Sequence, residues 1–193
     1  MDIKTKKQIN EAIETHRKMV SEFCVGGIET IAAASEMIVK CLKQGGCVYI
    51  CGNGGSAADA QHIAGELVGR FARERGGLAA IDLSTDTSVI TSIANDYGYE
   101  KIFARQVESL VSEGDILWAI STSGNSANVI AAVELAKQKG ARIIGFTGRT
   151  RSRLEGLADI CFCAEAELTC RVQEIHQLAY HIICDLVERS FCE

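Results

Sequence analysis

With 193 residues, 47% of them hydrophobic and 23% charged, the chain has the make-up of one ordinary globular domain. A net charge of -5 and the lack of a polybasic tract argue against a nucleic-acid binder, which neutralises phosphates with Lys and Arg. No run approaches the ~20 apolar residues of a membrane helix, and MDIKTKKQINEAIETHRK has no signal-peptide core, so a cytoplasmic location is expected.

A helical stripe opens the chain over 4–23, with Ile9, Ala12, Ile13, His16, Met19, Val20 and Phe23. Gly26-Gly27 interrupts it, and a second stripe follows from Ile28 to Leu42. This arm over 1–45 either packs on the core or supplies a subunit interface. The pattern then changes. Apolar runs of strand length occur at 47–51, 79–83, 116–120, 142–146 and 159–163. Helical stretches at 56–70, 87–95 with 101–111, and 126–139 separate most of them, and 150–158 is only weakly helical. Runs such as Ile116–Ile120 are continuously apolar, which fits strands buried on both faces of a parallel sheet. A long amphipathic helix over about 169–191 closes an α/β core that spans 46–193. Nine cysteines, mostly in apolar runs, read as buried thiols, and Cys161-x-Cys163 lacks the spacing of a metal clip.

Ligands of such sheets bind beyond the carboxyl ends of the strands. The loop after the first strand, Gly52-Asn53-Gly54-Gly55-Ser56, enters a helix and could present free amides to an anion. It matches neither the dinucleotide fingerprint nor a P-loop. The loop after the third strand, Ser121-Thr122-Ser123-Gly124-Asn125-Ser126, offers four hydroxyls at another helix start, more than an N-cap needs. Asn95-Asp96 reads locally as a helix-ending turn. His62 and Glu66 share a helix face at i,i+4, either as an exposed ion pair or as half a metal site. Gln173 and His181 on the last helix are eight residues apart and within one broad face, whereas His176 points elsewhere and reads as a packing residue. His16 reads as a surface or interface residue. Arg70, Arg73 and Arg75 read as a solvated group, of which Arg70 lies close to the His/Glu face.

Together, CGNGGSAADAQHIAGELVGR, IANDYGYEKIFARQVESL, STSGNSANVI and RVQEIHQLAYHIICDLVE resemble the phosphoheptose isomerases of the sugar isomerase (SIS) superfamily. The resemblance runs in register from about residue 40 to the last helix, and the N-terminal helices stand in the right place. It implies a single SIS domain over 1–193, a flavodoxin-like three-layer α/β/α fold with a five-stranded parallel sheet, and a homotetramer with active sites at subunit interfaces. It also implies isomerisation of sedoheptulose 7-phosphate to D-glycero-D-manno-heptose 7-phosphate, towards lipopolysaccharide or related glycans. Carried over by motif, Ser121, Thr122, Ser123 and Ser126 hold the phosphate, which moves it away from the first glycine loop. Asn53, Gly54, Gly55, Ser56, Arg70, Asn95, Asp96 and Gln173 line the substrate. Glu66 is the base and His181 its acid partner, and His62, Glu66, Gln173 and His181 bind zinc. Cys170 stands where some members carry aspartate, so a polar role at that position is not expected here.

Moving a carbonyl between C1 and C2 requires a base for the carbon-bound proton and a group that shuttles protons between the oxygens. An electrophile such as zinc suits the enediolate that develops. Three relatives in the superfamily are rivals: proteins that bind the replication initiator, which lack part of the acid/base set present here; sugar-phosphate-sensing regulators, which carry a separate DNA-binding domain; and a related isomerase acting on another sugar phosphate.

Overall fold

The computed structural model describes residues 2–192, leaving aside the side chain of Val25. Its five strands are β1 (Val48–Gly52), β2 (Ala80–Asp82), β3 (Ile116–Ser121), β4 (Arg142–Thr147) and β5 (Ile160–Cys163). All pair in parallel, in the order β2-β1-β3-β4-β5. This is the flavodoxin-like order expected from the resemblance, with its switch point between β1 and β3. β2 and β5 are shorter than their apolar runs. Both are edge strands, where short pairing is the usual protection against edge-to-edge association.

Period-two alternation sorts the strand side chains onto two faces. Val48, Ile50, Ile116, Trp118 and Ile120 enter one core with residues of α1 (Ile3–Gly26), α2 (Ile28–Lys43), α3 (Gly55–Val68) and α8 (Thr169–Arg189). Tyr49, Cys51, Leu117 and Ala119 enter the other with α4 (Thr87–Tyr97), α5 (Ala104–Leu110), α6 (Ala127–Gln138) and α7 (Arg153–Leu157). Residues 116–120 are wholly buried, which is why their run shows no alternation of polarity. Each large side chain so placed stabilises the fold by about 1.5–3 kcal/mol.

The N-terminal arm packs on the core along part of its length. Met19 and Ile31 reach the core, while Ile9 and Ile13 of α1 remain about half exposed. Among the described residues, no helix is long and apolar enough to cross a membrane. The thiols divide more evenly than the sequence suggests: Cys41, Cys51 and Cys184 are buried, Cys47, Cys161 and Cys163 are half-buried, and Cys24, Cys170 and Cys192 are exposed.

Candidate active site

Two loops meet at the switch point. β1 ends at Gly52, where a Cβ would come within 2.6 Å of the Ser56 carbonyl oxygen, so the turn closes only around glycine. Gly54 has φ +56, and the amides of Ser56 and Ala57 already donate to the carbonyls of Asn53 and Gly54. The first amides of α3 are thus largely satisfied within the turn, which argues against an anion cradle here. After β3, hydroxyls converge instead. Ser121 Oγ lies 2.9 Å from Ser126 Oγ and 3.4 Å from Ser123 Oγ. Ser126 precedes α6 without capping it through its side chain. Gly124 turns the loop at φ +64, and Thr122, Ser123 and Arg149 line a small cleft with Thr169 and Val172 of α8.

An asparagine pair that the sequence reading missed joins the loops. Asn53 Nδ2 donates to Asn128 Oδ1 (2.9 Å), and Asn128 Nδ2 donates back to Asn53 Oδ1 (2.8 Å). The Tyr99 hydroxyl also donates to Asn53 Oδ1, at 3.0 Å. Asn128 is 3% exposed on the second helical residue of α6. A buried amide at a helix start needs a partner, and that was the available signal.

α3 and α8 bring the candidate ligands together. His62 Nε2 lies 2.9 Å from Glu66 Oε1, and His181 Nε2 lies 3.5 Å from His62 Nε2. One ligand atom from each of His62, Glu66 and His181 can be chosen so that all lie within 4.8 Å of one another. Tetrahedral zinc with bonds of about 2.0–2.1 Å needs ligand atoms about 3.3 Å apart, so this donor set fits such an ion with little movement. Burial, and then the neighbouring His62 ring, hold His181 below the ordinary histidine value, while Glu66 pulls the other way. Tyr180, beside His181 in sequence, places its hydroxyl 2.9 Å from His62 Nδ1. Burial pushes Asp59, one turn before His62, up to about 6, against the lowering pull of His62 and the Tyr180 hydroxyl.

The other expected residues do not join this cluster within the chain. Gln173 lies two turns before His181, about 12 Å along α8, and its amide covers Gly55, where a Cβ would stand 2.4 Å from Nε2. Asn95 and Asp96 sit exposed on the last turn of α4, bonded to each other at 2.8 Å. Arg70 points to solvent, 3.9 Å from Glu74. His176 is fully buried and its Nε2–H donates to the Thr147 carbonyl at 3.2 Å, and burial lowers it to about 4, so it is a core residue as expected.

Reading Arg73 and Arg75 as solvated is corrected by the structure. The Arg75 side chain is 2% exposed and donates to the carbonyls of Glu66 and Leu67, both at 2.7 Å, at the end of α3. Arg73 bonds Asp185 at 2.7 Å. Behind them Glu188, with no exposed surface, accepts from the backbone N–H groups of Phe71, Ala72 and Arg73 at 2.7–2.8 Å and lies 3.6 Å from Arg75 Nε. Burial would raise Glu188, but the three amides and Arg75 outweigh it and hold the carboxyl below its ordinary value. The strap so fastened lays Phe71 on His181, with ring centroids 5.7 Å apart.

Residues 13–148 match the SIS domain family model. A phosphoheptose isomerase of Roseiflexus sp. is 52% identical over 163 residues, covering 84% of this chain and 83% of the relative. That of Aliarcobacter butzleri is 46% identical over 185 residues, covering 96% and 98%. The chain belongs to the SIS domain family, among its phosphoheptose isomerases. Family membership makes it an enzyme, an isomerase. The structure of a phosphoheptose isomerase from Neisseria gonorrhoeae superposes with a TM-score of 0.91 at 38% identity, over 96% of this chain and 99% of that one.

Proposed function

We propose that the chain interconverts sedoheptulose 7-phosphate and D-glycero-D-manno-heptose 7-phosphate through an enediolate, as a step in heptose biosynthesis. The observation that carries this reading is the gathering of His62, Glu66 and His181 on the two helices that adjoin the hydroxyl-lined β1/β3 crevice. Ser121, Thr122, Ser123 and Ser126 hold the phosphate. Gly54, Gly55 and Ser56 let the sugar lie against the backbone, with Asn53 and the Gln173 amide beside it. Glu66 has one oxygen on His62, and its other oxygen takes the proton from C1 and returns it to C2. His181, kept neutral at pH 7 by its lowered pKa, carries a proton between O1 and O2. His62, Glu66 and His181 would hold zinc, which supplies electrophilic stabilisation of the enediolate oxygens when bound. Gln173 is the fourth ligand expected from the resemblance. Its distance along α8 fits that role only for the site of a neighbouring copy. Arg70, Asn95 and Asp96, outlying within one chain, join the site by the same homotetrameric assembly.

The test is to incubate the protein with sedoheptulose 7-phosphate in D2O, with and without a chelator, and follow aldose formation and deuterium incorporation. Turnover with solvent exchange at C2 is expected, and Glu66→Gln should abolish both while phosphate binding survives. No turnover by folded, zinc-loaded protein would sink the heptose reading. Near-normal turnover by Glu66→Gln would remove the base assignment.

A further inference from the structure

A backbone group sets the direction of the Asn53–Asn128 pair. The Val129 N–H can only donate, and it meets Asn128 Oδ1 at 2.9 Å. The Asn128 NH2 group is therefore turned to Asn53, and the atom it meets there, at 2.8 Å, is Oδ1. Asn53 Nδ2 closes the ring by donating to Asn128 Oδ1 at 2.9 Å. Because an amide oxygen only accepts, the Tyr99 hydroxyl must donate to Asn53 Oδ1, at 3.0 Å. That oxygen has two lone pairs, and Asn128 and Tyr99 occupy both. Of the two N–H groups on Asn53 Nδ2, one is spent on Asn128 and the other has no partner among the described residues.

An asparagine held at one end only can turn its amide over and offer a ligand either a donor or an acceptor. Asn53 has lost that freedom. Asn128 is 3% exposed while Asn53 is half-buried, so the pair opens on the crevice from the Asn53 side. Asn128 stands two residues after Ser126, which places Asn53 close to the hydroxyl loop. His62 stands two turns into α3, about 10 Å further along the helix. We infer that Asn128 and Tyr99 are positioning residues that lock Asn53 as a single N–H donor, directed at a hydroxyl oxygen in the body of the sugar, between its phosphate and its reacting carbons. The sugar hydroxyl bound there accepts and keeps its own proton for another partner. Binding exchanges a solvent contact of that N–H for a sugar contact, and the rest of the pair stays closed. The inference rests on the function proposed above and adds to it two residues that act through Asn53 and touch no substrate atom.

The experiment measures KM and kcat of the full chain with sedoheptulose 7-phosphate for the parent, Asn53→Ala, Asn128→Ala, Tyr99→Phe and the double variant Asn53→Ala/Asn128→Ala. The thermal melt of each is recorded alongside. A bond to the body of the sugar is made equally in ground and transition states, so KM moves and kcat does not. KM is expected to rise about tenfold in Asn53→Ala, about fivefold in Asn128→Ala and about threefold in Tyr99→Phe, with kcat within about twofold of the parent. The double variant is expected to match Asn53→Ala alone, because Asn128 acts only through that amide; an independent structural effect would multiply instead. If the parent does not turn over the sugar, the heptose reading fails and takes this inference with it. If the parent is active and either alanine variant keeps KM within about twofold of it, the positioning role alone is overturned. Multiplying losses in the double variant overturn it too, as does a fall in kcat at unchanged KM. Should the buried Asn128→Ala fold poorly, Tyr99→Phe decides, since Tyr99 is 58% exposed and the change removes only its hydroxyl; an unchanged KM there overturns the inference.

Discussion

Glu188→Gln removes one charge and leaves the outline of the side chain almost unchanged, yet it should be among the most damaging single changes in this chain. The carboxylate takes three backbone N–H groups, one on Oε1 and two on Oε2, in a place without exposed surface. An amide cannot reproduce that. Whichever way it turns, its NH2 faces at least one N–H donor, and the bonds that survive lose their charge assistance. Hydrogen bonds to charged groups contribute about 1.5–3 kcal/mol each. Arg75 also loses its counter-charge, and breaking a buried pair of this kind costs about 3–5 kcal/mol. Since these terms overlap, the expected loss is about 4 kcal/mol, a large share of a total stability of about 5–15 kcal/mol. For a chain of this length that lowers the melting temperature by on the order of 10 °C. Thermal unfolding followed by circular dichroism, on metal-free protein at neutral pH, measures it directly. A fall of less than about 3 °C would show that the strap is held by other contacts, and the reasoning from buried acceptors would be wrong.

Acid should unfold the protein partly through the same group. The native pKa of Glu188 is depressed, as is that of Asp185 through Arg73 and Arg189. Their contribution is therefore present above the ordinary carboxylate range and lost as pH falls through the lower native values, and a melting series from pH 7 to pH 3 should show a decline that Glu188→Gln blunts. Ser121→Ala or Ser126→Ala should raise KM about tenfold, for one lost bond to a charged phosphate, with kcat little changed; an unchanged KM would move the phosphate elsewhere. Gly124→Ala should destabilise strongly, because φ is +64 and the added Cβ would lie 2.3 Å from Ser152, and a parent-like melt would contradict that. In native protein, a disulfide thiol reagent should modify Cys24, Cys170 and Cys192 first. Burial raises buried Cys41 to about 11 and half-buried Cys161 to about 12, so fast reaction of either would count against this ordering.

The strands were legible because most are short apolar runs bounded by a glycine or hydroxyl turn, and the parallel sheet because several of those runs do not alternate. The hydroxyl loop was legible as an excess over what a cap needs, and His62 with Glu66 as an i,i+4 pair. Joining them to His181 needed the resemblance, since no local pattern says which helix packs on which. The contacts that organise the site were hidden for the same reason. Asn53 and Asn128 are 75 residues apart, and Arg75 sits in RFARERGG, which reads as a solvated turn. Glu188 could have been found. The buried stripe of α8 runs Val172, Ile175, His176, Ala179, Tyr180, Ile183, Cys184, Val187 and Glu188. A carboxylate in that series must be paired, but Leu178, Ile182 and Leu186 widen the apolar face beyond the buried stripe and blur it, and Leu186 is 37% exposed.

Helix ends normally open many times for each global unfolding event, and their amides exchange with solvent accordingly. α3 is restrained at both ends: its first turn closes on itself beneath the Gln173 amide, and its last carbonyls are held by Arg75. His62 and Glu66 therefore ride on a span that has no loose end to fray from. On the proposed function, the adjustments that accompany binding and release of a sugar fall to the loops around Asn53 and Ser121, where side chains exchange partners and no helical turn has to open.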